Sequence, residues 1–311
     1  MPKYFSLLLN FFSKLADKLY LKQWTVGIAE SSMEDIIKNK EINGTFKWIP
    51  LNNNYQFFAD PFIFKLNTRN YAILFEELDY KKQYGYICQF NLNDHFQVIS
   101  KKILLQTQTH LSYPFIFYEN NEMYVFPESS ANGKLSCYHY DYKNQSLSFV
   151  KDILDLPLLD STILKHDGNY WIFCTMRGKD SNNKLYIYYS KNLFGPYVPH
   201  QKNPVKNDLN GSRPAGNLVE VDRILYRPTQ GSEKYYGSSI NIFKITTLSE
   251  ENFEEEFYMS IKPDKNEKFK FGIHTINGAD GKIVVDGLLR RFCPFVQLSS
   301  FYRKQEKKFN K

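Results

Sequence analysis

The chain lacks a Gly-rich phosphate-binding loop, a Cys-x-x-Cys pair, a nucleic-acid-binding motif and any low-complexity or Pro/Ser-rich linker through its middle. The first absence weighs against a conventional nucleotide-sugar transferase fold. The four cysteines, Cys88, Cys137, Cys174 and Cys293, stand singly and mostly inside apolar strand-like runs. They read as buried thiols rather than disulfides or metal ligands, and a reducing, cytoplasmic location is expected. The net charge of +7 owes much to the segment at 303–308. It suits an anionic membrane surface or a phosphorylated substrate, and nucleic acid is not expected as a partner. With no linker in 311 residues, one domain accounts for most of the chain.

What is abundant is aromatic. The 23 Tyr and 26 Phe favour an all-β protein. Phe58-Ala59-Asp60-Pro61-Phe62-Ile63-Phe64 returns in altered form as LSYPFIF at 111–117, LDSTIL at 159–164, GSRPAGN at 211–217 and GIHTIN at 272–277. If Asp60, Tyr113, Asp160, Arg213 and His274 are equivalent, the steps between them are 53, 47, 53 and 61 residues. Each anchor is followed by a second β-rich run, and four of the five by a third. A period near 50 residues with three or four strands per unit predicts a five-bladed β-propeller.

The domain boundaries follow from this period: an N-terminal amphipathic helix over 1–22, a propeller over 23–295 and a basic tail over 296–311. Residues 4–21 are apolar on much of a helical surface, but the uninterrupted apolar run is too short to span a bilayer, and Asn10 interrupts what a secretory signal would keep clean. Two readings are open: a helix packed on the propeller flank, or one lying in a membrane interface as a peripheral contact. Propellers commonly close by lending a terminal strand to the last blade, so Trp24–Ala29 is expected in the last blade or its neighbour. A short helix over Ser31–Lys40 and a strand over Phe46–Pro50 are expected next.

In a propeller the innermost strands line a central channel, so equivalent positions converge. The converging set is Asp60, Tyr113, Asp160, Arg213 and His274, and the ends of the second strands add Glu76 or Glu77, Glu128, Arg177, Arg227 and Asp286. Strand alternation lets only one of Glu76 and Glu77 face the channel, and Glu77 is taken as the substrate-binding candidate. Paired carboxylates divide into acid and base, Arg and His hold an anion, and aromatic faces receive sugar rings. The set therefore points to a carbohydrate or sugar-phosphate ligand. The bland alternative is a set of structural ion pairs between blades.

The motifs ADPF at 59–62, YPFIF at 113–117, PES at 127–129, DST at 160–162, GPYVPH at 195–200, NPV at 203–205, RPAGN at 213–217, YRP at 226–228 and GIHT at 272–275 carry a resemblance. Over residues 24–290 the chain resembles the five-bladed propellers of glycoside hydrolase family 43 and its relatives in families 32, 62, 68 and 117. It is more similar still to the N-terminal propeller of plant glucosamine inositolphosphorylceramide transferases and bacterial relatives tied to surface-polysaccharide synthesis. The resemblance implies a general-base role for Asp60 and an acid-tuning role for Asp160. The Glu that opens the fourth blade in family 43 corresponds to Ser212-Arg213-Pro214, and an Arg cannot protonate a leaving oxygen. Glu128 is the candidate acid in its place, with Asp60 and Asp160 completing the catalytic set. The remaining candidates, Glu77, Tyr113, Arg177, Arg213, Arg227, His274 and Asp286, are assigned to substrate binding. The clan also implies a channel cation, with His274 as a water-mediated contact; a His paired to a carboxylate is the rival. The expected activity is sugar transfer or sugar-phosphate chemistry in glycan or glycolipid assembly at the cytoplasmic side of the membrane. Family-43-like hydrolysis and non-catalytic glycan binding are the alternatives.

Overall fold

The structure, a computed structural model, describes residues 19–293 apart from 52, 54 and 81–83. Strand β1 (Tyr20–Glu30) is followed by helix α1 (Met33–Asn39) and by β2 (Lys47–Trp48). The first blade is β3 to β6 (Gln56–Lys65, Tyr71–Asp79, Tyr84–Leu92, Val98–Leu105), and the second is β7 to β10 (Ser112–Glu119, Glu122–Glu128, Leu135–Asp141, Ser146–Leu154). The third is β11 to β14 (Leu158–His166, Asn169–Met176, Lys184–Ser190, Val198–Pro199), with β15 (Lys206–Asn207) also on β13. The fourth is β16 to β19 (Val219–Val221, Ile224–Gly231, Ser239–Leu248, Phe253–Ile261). The fifth combines both ends of the described chain, in the order β2-β1-β21-β20, with β20 at Ile276–Ala279 and β21 at Lys282–Phe292.

Of the two placements expected for Trp24–Ala29 the structure has the last blade, and the strand starts earlier. Strand β1 pairs antiparallel with β21 from Tyr20↔Phe292 to Glu30↔Lys282. Residues 20–22, expected at the end of the N-terminal helix, are therefore strand, because their alternate side chains fit a pleat and Leu21 is buried. The rest of that helix and the basic tail lie outside the described residues. Ser32 caps α1, accepting from the Asp35 amide at 3.0 Å, and Ile36 and Ile37 bury its inner face.

Blades are joined by aromatic wedges. Phe62 meets Tyr113 edge-on with ring centroids 5.0 Å apart, and Phe64 meets Tyr140 at 5.2 Å, so the first blade's inner strand packs on the second. Each such pair adds about 0.5–1.5 kcal/mol beyond its area burial. Cys88, Cys137 and Cys174 lie buried among these runs as free thiols, and burial raises the pKa of Cys137 to about 12.

The sequence anchors have a backbone identity. The inner pairs of the first three blades each skip register once, between Ala59 and Phe62, Ser112 and Phe115, and Leu159 and Thr162. At the skip sit Asp60, Tyr113 and Asp160 with φ of 51°, 41° and 49°. Such a bulge leaves backbone amides unpaired within the ladder and turns them toward the axis. In the last two blades the inner strands are shorter, and Arg213 and His274 precede β16 and β20 rather than lying within them.

Candidate functional site

The bulge amides are satisfied from the neighbouring blade. Asp60 N donates to Asp286 Oδ2 at 3.1 Å, and Tyr113 N donates to Asp60 Oδ2 at 3.2 Å. Asp286 Oδ1 accepts from the amides of His274 and Thr275 at 2.9 and 3.1 Å. Thr275 Oγ1 donates to Asp60 Oδ1 at 2.7 Å. Between the two carboxylates lies the His274 ring, with Nε2 3.2 Å from Asp60 Oδ1 and Nδ1 2.9 Å from Asp286 Oδ2. Burial alone would lower the imidazole pKa; the carboxylates of Asp286 and Asp60 outweigh it and raise it to about 10. His274 is thus an imidazolium at neutral pH, packed against Trp24 at 4.3 Å and Tyr236 at 5.2 Å between ring centroids.

A second group forms beside it. Arg213 Nε donates to Asp160 Oδ2 at 2.6 Å, and Nη1 donates to Asn182 Oδ1 at 3.0 Å. Gln230 Nε2 donates to the same Asp160 oxygen at 2.7 Å. Glu128 Oε2 lies 3.9 Å from Arg213 Nη2, and Glu128 Oε1 accepts from Ser130 at 2.7 Å. Burial first and the Asp160 charge second raise the Glu128 pKa to about 8, with Arg213 opposing. Glu128 is therefore a buried carboxylic acid at neutral pH, next to a carboxylate that is held ion-paired.

Of the two adjacent glutamates, Glu76 faces this centre. Burial and the charges of Asp60 and Glu128 hold its pKa well above the usual carboxylate range. Its Oε1 lies 3.4 Å from His110 Nε2, while His110 Nδ1 accepts from the Gly85 amide at 2.9 Å. Glu77 points the other way and is a correction to the sequence reading: its carboxylate takes Lys101 at 2.7 Å and Gln56 at 2.9 Å. Arg227 is a second correction. It is fully buried and spends its guanidinium on Glu255, at 2.8 Å from Nε, and on the carbonyls of Gly211 and Ser212. Both point into blade interiors because strand alternation turns them away from the axis.

Tyr113 is brought to the centre by its backbone only; its buried hydroxyl pairs with Thr162 at 2.8 Å, so it offers no contact to a substrate. Arg177 is exposed at the end of β12, near enough to His110 for its charge to oppose protonation there. Arg213 and His274 are central, yet both spend their charge on protein carboxylates, so the anion-holding role expected of them finds no free cation. The sequence reading missed Trp24, Gln230, Tyr236 and Thr275. Tyr236 lies in the loop GSEKYYG at 231–237, where paired aromatics between glycines were the only signal.

Asp60, His274 and Asp286 offer three ligand atoms within 4.8 Å of one another. They do not fit a directly bound cation: both ring nitrogens already face carboxylates, and both Asp286 oxygens accept backbone amides. The ion-paired histidine is the arrangement these contacts support.

Residues 48–282 match the family model described as "Glucosamine inositolphosphorylceramide transferase 1, N-terminal". Curated relatives bearing the name glucosamine inositolphosphorylceramide transferase 1, from Arabidopsis thaliana and Oryza sativa subsp. japonica, are 39% and 35% identical over 158 residues. The match covers 49% of this chain and 21% of each relative. Among solved structures, Zg3597, a family 117 glycoside hydrolase of Zobellia galactanivorans, aligns with a TM-score of 0.54 at 10% identity, over 89% of this chain and 92% of that one. A thermostable family-43 glycoside hydrolase aligns at 0.52 and 12%, over 79% and 88%. At such identities the likeness is one of fold.

Proposed function

This chain belongs to the family glucosamine inositolphosphorylceramide transferase 1, N-terminal, and on that premise we propose that its propeller binds a carbohydrate over the axial acid cluster and serves glycosyl transfer. One observation carries the reading: Glu128, buried at the axis, has a pKa raised to about 8 and so holds a proton at neutral pH. A carboxylic acid of that kind delivers its proton to a leaving glycosidic oxygen. Asp60 takes the proton of the incoming hydroxyl, and Asp160, fixed by Arg213 and Gln230, keeps the Glu128 pKa high. The relatives' name describes an acceptor in which inositol is joined through phosphate to a ceramide. We extend only its chemistry to this chain: a polyol carried on a phosphodiester, met at a membrane surface on the cytoplasmic side.

The test uses the purified chain, a labelled glucosamine donor and an inositol-phosphoryl lipid, with label counted in the lipid fraction. Wild type is expected to transfer label, and E128Q and D60N to lower the rate by about 10²–10⁴ with unchanged folding. No transfer by wild type, or equal transfer by all three, sinks the proposal. A second reading is hydrolysis, supported by the fold shared with family 117 and family 43 hydrolases. It is distinguished by release of free sugar from aryl glycosides without any lipid acceptor.

A further inference from the structure

Outside the axial cluster, the sharpest concentration of uncommitted charge is a cleft of about 550 Å³ on the outer side of the loop 231–238. Lys234, Lys262, Lys265 and Lys270 line it, and among the described residues none of the four forms an ion pair or a hydrogen bond. Of the two carboxylates in its wall, one lies near a cation and the other is held by an amide. Asp208 Oδ2 lies 3.5 Å from Lys206, and Glu233 Oε2 accepts from Asn210 at 3.0 Å. Four lysines thus face two carboxylates in the lining, and this excess of positive charge favours an anionic occupant.

The cleft and the axial site share a wall. Tyr235 lines the cleft, and the next residue, Tyr236, turns to the axis, 5.4 Å from the Arg213 guanidinium and 5.2 Å from the His274 ring. The turn that follows Tyr236 is fixed. Gly237 has φ of 72°, and a Cβ there would lie 2.8 Å from the Trp24 ring and 3.2 Å from His274 Cβ. Its carbonyl accepts from the Ile273 amide at 2.8 Å.

We propose that this cleft is the phosphate subsite of the carbohydrate site. It binds the phosphate group of a substrate whose sugar or polyol end lies over Asp60 and Glu128. The inference rests on the carbohydrate reading above for the second half of that statement, and on the lysine cleft alone for the first. It also resolves the charge problem at the axis. Arg213 and His274 are consumed by carboxylates there, so a phosphate needs its cations elsewhere, and the cleft holds them one residue away from Tyr236.

The test compares wild type with the quadruple variant K234Q/K262Q/K265Q/K270Q, all exposed positions whose replacement leaves the core intact. Binding of inorganic phosphate is followed by ³¹P line width. Binding to phosphatidylcholine vesicles with and without phosphatidylinositol is followed by sedimentation. Wild type is expected to bind phosphate in a salt-sensitive way, and each lysine that contacts it to contribute about tenfold. Retention by phosphatidylinositol vesicles as well, lost in the variant, assigns the phosphate to a lipid headgroup; binding of inorganic phosphate alone assigns it to a soluble phosphate ester. No phosphate binding by wild type, or equal binding by the variant, overturns the subsite. E128Q, run alongside, is expected to bind phosphate as wild type does. A transfer assay that fails in every protein therefore removes the enzymatic reading and leaves the phosphate result standing.

Discussion

Arg213 of the fourth blade reaches Asp160 of the third, Nε to Oδ2 at 2.6 Å, and the two bind those blades together at the axis. Both side chains are largely buried, so removing one partner strands the other's charge, at a cost of about 3–5 kcal/mol. R213M is expected to lower the midpoint of thermal unfolding sharply. The double variant R213M/D160N is expected to lower it by less than the sum of the single changes, since neither charge is then left alone. Strict additivity in that cycle would show that the pair contributes through packing rather than charge.

The repeat made the blades and the closing strand legible, because the anchors recur at a period near 50 residues and each is followed by strand-like aromatic and β-branched runs. The reason they recur is partly different from the one read off the residues. Asp60, Tyr113 and Asp160 mark a bulge with positive φ, a backbone device that places an amide toward the axis whatever the side chain does. Asp tolerates that conformation through its short polar side chain, whereas Tyr113 is an exception held by packing and its bond to Thr162. Convergence at the axis thus identified Asp60, Asp160, Arg213 and His274 correctly as neighbours, but it could not say which were already paired. Glu77 and Arg227 were misplaced because a one-residue change of facing is invisible without the register. Tyr236 comes from a loop, where no periodicity exists to read.

Glu76 and Glu77 are expected to separate cleanly. E77Q weakens a buried carboxylate's bonds to Lys101 and Gln56 and is expected to lower stability by about 1–3 kcal/mol without changing ligand affinity in the folded protein. E76Q puts a neutral isostere where burial and the charges of Asp60 and Glu128 already disfavour a carboxylate, so stability is expected to stay within about 1 kcal/mol while carbohydrate affinity falls. Urea titration and calorimetric ligand titration on the two variants check this, and the reverse assignment of effects would contradict the register.

Arg227 is a structural cation. R227M leaves Glu255 without Nε and Nη2 and frees two carbonyls, and it is expected to cost about 3–5 kcal/mol in thermal unfolding. The dissociation constant for ligand at low temperature is expected to be that of wild type. A selective loss of affinity without loss of stability would return Arg227 to the site.

His274 makes stability depend on pH. Its folded pKa of about 10 lies above the ordinary value of 6.5, so the native state holds a proton that the unfolded chain releases in between. The stabilisation is complete below pH 6.5 and is lost as pH rises toward about 10. Urea midpoints measured through that window are expected to fall steadily in wild type and, in H274N, to flatten between about pH 8 and about pH 10, above the range in which Glu128 titrates. A slope unchanged by the substitution would place the titration on another group.

Glu128 gives the sharpest test, because acid strength and protein stability must move together. Its folded pKa of about 8 stands above the carboxylate value of 4.5, so the native state keeps a proton that the unfolded chain loses. Its contribution is fully present below pH 4.5 and disappears as pH rises to about 8, and E128Q removes this slope. If the same proton passes to the leaving oxygen, kcat/KM for transfer falls above pH 8 in wild type, while E128Q is low and flat across the range. Replacing Arg213 removes the one charge that opposes the shift, so the alkaline limb in R213M moves to higher pH. A limb that stays in place in R213M would mean that the titrating acid is not Glu128, whose carboxylate lies 3.9 Å from that guanidinium.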